Sequence, residues 1–212
     1  MDAVDYFVFE VEQSFRGQRK TVVLYGSFLD NGKSDFDSCV ILEKKSSEDS
    51  RTISEILSRV HQRYDLKLDT DIPYEKKAIF TFAECREVAI NPPFKKTEGG
   101  YYLDDIPSDL TYLNSEKARA RLLFNILTGK TTVLDGAENI SEIQQLAWSR
   151  LVDLVCHDAS NKILSANEIA DYLCRNPRTG SCYKDYLGYP RSDYSYLLSR
   201  AKSTLEDKKN QQ

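Results

Sequence analysis

Histidine is nearly absent from this chain: two in 212 residues, His61 and His157, far apart and unpaired, so a histidine-built metal centre is not expected. Cysteine is sparse as well. The five thiols, Cys39, Cys85, Cys156, Cys174 and Cys182, are odd in number and widely spaced, with no CxxC pair. That pattern excludes a zinc ribbon and a disulfide framework, and it predicts reduced thiols. No apolar run approaches the roughly 20 residues of a membrane span. The opening "MDAVDYFVFEVEQ" is acidic where a secretory leader would be basic, so no membrane partner and a cytoplasmic location are expected. Positive charge is not in excess either: 29 Lys and Arg face 33 Asp and Glu, a net charge of -4. Broad nucleic-acid binding needs the opposite balance, so nucleic acid is not an expected partner. The lysine pairs at 44–45, 76–77 and 95–96 are scattered and read as solvated.

What remains is an ordinary globular composition, 41% hydrophobic and 29% charged, with length enough for one large domain or two small ones. Val4, Phe7, Val8, Val11 and Phe15 share one helical face. "TVVLYG" and "DSCVILEKK" are short β-branched runs that read as strands. Residues 51–64 return to helical spacing through Ile53, Ile56, Leu57, Val60 and Tyr64, which leaves His61 as a surface or boundary residue. Leu66, Leu68, Thr70 and Ile72 then alternate with charged residues, as on a strand. The Pro- and Gly-rich stretch 91–114 reads as a linker or substrate-facing loop. Beyond it "SEKARARLLFNIL", with Ser115 as cap, "ENISEIQQLAWSRLVDLVC", "SANEIADYLC" and "SDYSYLLSRAKSTLEDK" all have helical period. The expected fold class is therefore α+β: a mixed sheet flanked by helices over 1–98 and a helical bundle over 99–212.

One stretch stands out, "LYGSFLDNGKSDFDSCVIL" at residues 24–42. A strand that ends in Gly26-Ser27 offers backbone N–H groups and a hydroxyl at a tight turn, where glycine lets a phosphate come close. Asp35 and Asp37, two apart at the start of the next strand, project to one side, and Asp69 or Asp71 on a neighbouring strand can meet them. Three converging carboxylates repel one another unless a cation lies between them, and oxygen donors of this kind suit Mg²⁺. A two-metal site of that sort activates an attacking hydroxyl and neutralises a leaving pyrophosphate.

This combination, Gly26-Ser27 after a strand, Asp35-x-Asp37 opening the next and Asp69 or Asp71 on a later one, resembles the nucleotidyltransferase superfamily. DNA polymerase β, the aminoglycoside nucleotidyltransferases and the minimal MNT proteins belong to it. The resemblance covers about the first 90 residues. It implies a catalytic domain over 1–98 in which Ser27 binds the triphosphate and the carboxylates hold Mg²⁺ while a nucleoside monophosphate passes to an acceptor. By analogy with stand-alone relatives the donor is ATP, the product an adenylylated small molecule such as an antibiotic or biosynthetic intermediate, and the source bacterial. "SEKARARLLFNILTGK" and "KDYLGYPR" resemble the helical regions of such relatives, which implies acceptor or partner binding by 99–212. Lys33 and Ser34, just before Asp35, and Arg121, beside an apolar stripe, are candidates for phosphate contact; Arg119, two residues earlier, splays to another side of the helix. The competing reading is an MNT-type antitoxin or regulatory module that acts on a protein partner. Trp148 reads as a core residue.

Overall fold

The computed structural model describes residues 1–26, 28–32, 36–67, 77–97, 100–103, 116–158, 163–174 and 193–211. The chain begins with helix α1 (Ala3–Ser14), whose first turn is closed by the Asp2 carboxylate accepting from the Asp5 N–H at 2.9 Å. Strand β1 (Lys20–Leu24), the short helix α2 (Phe28–Asn31) and strand β2 (Ser38–Leu42) follow. Helix α3 (Ser47–Tyr64) starts at a reciprocal cap between Ser46 and Asp49 and stops where Asp65 takes a left-handed backbone, φ 50°. Strand β3 (Ile79–Thr81) runs straight into α4 (Phe82–Ile90), whose cap is the same device built from Thr81 and Glu84. A hairpin, β4 (Phe94–Thr97) with β5 (Gly100–Leu103), precedes α5 (Glu116–Thr128), β6 (Thr132–Asp135), α6 (Ala137–Asp158), α7 (Ala166–Cys174) and α8 (Tyr194–Asn210).

The main sheet has the order β3-β2-β1-β6. β1 is antiparallel to both its neighbours, and β2 is parallel to β3. It is covered on both faces, which explains why β2 is buried at every position and shows no polar alternation. On one face Val22, Leu24, Val40 and Leu42 pack with Phe7 and Val11 of α1 and Ile53, Ile56, Leu57 and Val60 of α3. On the other, Val23, Cys39, Ile41 and Phe80 pack with α4 and the long helices of the second half. The class is α+β.

Several expectations need correcting. The second half is not purely helical, because β6 pairs with β1 through Val23↔Val133 and Leu24↔Thr132. One hydrophobic cluster also runs from Cys85 and Val88 into Leu123, Phe124 and Leu151, so residues on both sides of position 98 share a sheet and a core. Part of the 91–114 stretch is the β4/β5 hairpin. Leu66 and Lys67 are not in a strand, and the rest of the 66–72 run, from Leu68 on, lies outside the described residues, as do Ser115 and Cys182. His61 is buried, not at the surface, and sits edge-on to Phe36 at 6.4 Å. Trp148 is 1% exposed in the core, and the four described cysteines are free thiols. Among the described residues no helix is long and apolar enough to cross a membrane.

The seam between α1, β1 and β6 carries a pair of carboxyl groups. Glu12 is ion-paired to Lys20 at 3.0 Å, and that partner holds its carboxyl below the usual range against the opposing effect of burial. Burial and the neighbouring Glu12 together raise Asp135. A raised carboxyl in the folded state adds stability below its unfolded pKa and loses it as pH climbs through the folded value; for Glu12 the sense is reversed. Asp135→Asn, which keeps a hydrogen-bonding head without the charge, is therefore expected to match wild type at pH 3–4. Above pH 6 it should be more stable by about 0.5 kcal/mol, the scale of a solvent-screened pair. Urea melts across that range read the difference.

Candidate active site

The site is built by strand pairing. β1 and β2 are in register through Leu24↔Ser38, and one step beyond the pair the Tyr25 N–H donates to the Asp37 carbonyl oxygen at 2.9 Å. The chain therefore turns at Gly26 directly beside Asp37. Gly26 has φ +73°, a left-handed backbone that side chains rarely adopt. The turn is continued by α2, where the Leu29 N–H donates to the Gly26 carbonyl at 3.4 Å and the Gly32 N–H to that of Phe28 at 2.9 Å.

Phe36 holds the returning strand in place. It is 3% exposed and makes edge contacts with Phe28 at 5.0 Å and Phe7 at 5.4 Å, with His61 farther off. Its ring belongs to the face packed by α1 and α3. Successive side chains on an extended strand alternate, so the next residue, half-buried Asp37, turns the other way. Its carboxylate comes to rest over the turn: a Cβ placed on Gly26 would lie 3.1 Å from both Cβ and Cγ of Asp37 and overlap the carboxylate oxygen. Only glycine fits at 26 for two separate reasons, backbone sign and space.

A second feature adjoins this corner. The Tyr25 hydroxyl donates to the Lys77 carbonyl oxygen at 3.4 Å, and the Val40 N–H donates to that of Ala78 at 2.8 Å. Lys77, read from sequence as solvated, is in fact buried. Farther along β3, Arg119 donates to Glu84 Oε1 from Nε at 3.2 Å and from Nη2 at 3.1 Å, and its guanidinium lies 4.2 Å from the centre of the Phe80 ring. Burial pushes the Glu84 carboxyl up, but Lys45 at 2.7 Å and Arg119 outweigh it and hold it below the usual range. That cluster ties α5 to α4 and the sheet. Arg121, on a different side of α5, is 2% exposed.

Of the residues read from sequence as a site, Gly26 and Asp37 are brought into contact and Arg121 is placed in the interior of α5. Ser27, Lys33, Ser34, Asp35, Asp69 and Asp71 lie outside the described residues. Sequence reading missed Tyr25 and Lys77, whose connection runs across the sheet between residues 52 apart. Among the described residues no three acidic, histidine or cysteine side chains gather as a metal-holding group. Asp37 is the described member of the expected donor set, and it fits Mg²⁺ in kind: a hard oxygen donor laid over a glycine turn. Comparison with family models, with curated proteins and with solved structures gives no match.

Gly26→Ala is expected to destabilise the protein by about 1–2 kcal/mol from the left-handed backbone alone, with the overlap on Asp37 adding to it. Gly32→Ala serves as the comparison, because φ there is +62° and a Cβ would meet nothing within 4 Å. Chemical denaturation of both variants checks that Gly26→Ala is the costlier of the two.

Proposed function

We propose that this chain is a Mg²⁺-dependent nucleotidyltransferase that moves AMP from ATP to a hydroxyl group of a small molecule. The observation that carries the reading is the seating of the Asp37 carboxylate on the Gly26 turn. Gly26 and Asp37, 11 residues apart in sequence, form one corner at the end of β1. A mixed sheet, with β1 antiparallel to β2 and β2 parallel to β3, agrees with the arrangement the resemblance implies for the catalytic part.

In this reading the backbone N–H groups at the turn and the Ser27 hydroxyl receive the triphosphate, since a close approach to main chain is what a glycine turn permits. Asp37, with Asp35 and either Asp69 or Asp71, forms the oxygen donor set. Bound there, Mg²⁺ would polarise the phosphate oxygens and neutralise the departing charge. The acceptor oxygen bonds to the α-phosphorus as the link from that phosphorus to the bridging oxygen breaks. The third carboxylate takes the acceptor's proton, and pyrophosphate leaves. The second half takes the acceptor, as the resemblance implies, and Arg121 keeps the phosphate contact read from the sequence.

The test is pyrophosphate release with Mg²⁺ and each nucleoside triphosphate in turn, against a pooled set of hydroxyl-bearing small molecules. Turnover is expected with ATP, and Asp37→Asn should lower it by at least about 100-fold. Nucleotide binding with no turnover on any acceptor would instead favour a module that acts on a protein partner. Turnover unchanged in Asp37→Asn would overturn the assignment of the site.

A further inference from the structure

Tyr25 is the last residue before the Gly26 turn, and its side chain does not stay on its own strand. The ring, half-buried, packs against the cluster that holds Cys39 and Ile41, while the hydroxyl donates to the Lys77 carbonyl oxygen at 3.4 Å. The sheet order is β3-β2-β1, so a side chain that leaves the end of β1 and ends at the start of β3 has crossed β2. The registers fix where. Leu24↔Ser38 and the Tyr25 N–H on the Asp37 carbonyl set Tyr25 opposite Asp37, and Val40↔Ile79 sets Lys77 level with Ser38. Side chains alternate along an extended strand, so Ser38 points to the α1/α3 face with Phe36 and Val40, and Asp37 and Cys39 flank it on the face that Tyr25 occupies. The Tyr25 ring therefore lies across the Ser38 backbone, between the side chains of Asp37 and Cys39.

That placement closes one side of the Asp37 carboxylate. Swinging toward the middle of the sheet, it would meet the ring; it rests on the side away from the ring, over Gly26. Directly opposed residues on antiparallel strands have Cβ atoms about 5 Å apart, close enough for an aromatic ring to bear on a carboxylate. A metal ligand binds best when its rotamer is locked before the cation arrives, because the ordering cost then falls on folding and not on binding. We propose that Tyr25 is a positioning residue for Asp37, its ring a wall across β2 that keeps the carboxylate over the Gly26 turn, ready for a divalent cation. This rests on the nucleotidyltransferase reading above and adds to it a residue through which metal affinity depends on the packing of the sheet. The hydroxyl bond is long for its kind, so it steers the ring, and the bulk of the ring confines the carboxylate.

The experiment is Mn²⁺ binding to the full-length protein, read from the EPR signal of free Mn²⁺ with a non-hydrolysable ATP analogue present. Wild type is compared with Tyr25→Leu, Tyr25→Phe, Asp37→Asn and Ile41→Val. Ile41 is fully buried on the same face of β2, so its truncation lowers stability through the same core without reaching Asp37. Leucine is too short to cross β2, and Tyr25→Leu is expected to weaken Mn²⁺ by about 10-fold, the scale of one side chain left unordered. Tyr25→Phe keeps the ring and should stay within about 3-fold of wild type, the scale of one hydrogen bond. Ile41→Val should match wild type. If Tyr25→Leu does not fold, Tyr25→Met, which fills the space with a flexible chain, carries the same expectation. Wild-type Mn²⁺ affinity in a folded Tyr25→Leu or Tyr25→Met, with Asp37→Asn impaired, overturns the role of Tyr25 and leaves the metal site standing. Equal weakening in Tyr25→Phe or in Ile41→Val overturns it as well. No Mn²⁺ binding by wild type, or binding that Asp37→Asn does not alter, overturns the nucleotidyltransferase site and this role with it.

Discussion

Pairing of β1 with β2 is the constraint on which the rest depends. The five-residue antiparallel register from Lys20↔Leu42 to Leu24↔Ser38 decides how far the returning strand advances, and hence which residue meets the turn. A slip of one position would put Phe36 over Gly26 and expose its ring on the wrong face, since side chains reverse with every residue. The register is protected by burial on both sides. Val22, Leu24, Val40 and Leu42 have their partners on α1 and α3, while Val23, Cys39 and Ile41 have theirs on the helices of the second half. The core therefore positions the carboxylate, and Phe36 is the link between packing and site.

The second half does more than hang beside the sheet. Its strand β6 extends the sheet past β1, and Gly136, at φ +68°, lets the chain pass so close to Lys20 that a Cβ there would overlap the Lys20 carbonyl oxygen. Thr21 Oγ1 donates to the Gly136 carbonyl at 2.8 Å, and Asn139 Nδ2 donates to that of Lys20 at 2.9 Å. These bonds fasten the start of α6 to the first strand. The helices proposed to face an acceptor are thereby held by the same strand whose end carries the Gly26 turn, so the two functions proposed for the chain depend on a shared element.

Helices with a strong apolar period were legible from sequence: α1, α3, α6 and α8 appear within a few residues of where spacing puts them. Strands β1 and β2 were legible too, as short β-branched runs, but β3 and β6 were not. β3 has three residues and β6 four, too few to show alternation, and β6 is set between two helices whose periods dominate the window. α4 carried a usable signal, the Thr81-x-x-Glu84 capping box, which is seen in the structure but was not read from the sequence. His61 follows Val60 and stands four residues after Leu57, so helical spacing already put it on the buried side of α3. At the proposed site, Gly26 and Asp37 could be picked out because the Gly-Ser and Asp-x-Asp patterns are local, while Ser27 and Asp35 lie outside the described residues. The burial of Lys77 could not be read, because it precedes β3, whose place in the sheet is set by pairing with β2, far away in sequence.

The corner formed by Gly26 and Asp37 is proposed to hold a divalent cation with a nucleotide. Crystals soaked with Mn²⁺, which shares the oxygen preference of Mg²⁺ and scatters anomalously, and with a non-hydrolysable ATP analogue test it most directly. The expected result is an anomalous peak on the Asp37 carboxylate with the triphosphate against the Gly26 turn, lost in Asp37→Asn. Nucleotide bound elsewhere, or a Mn²⁺ peak remote from Asp37, would contradict it.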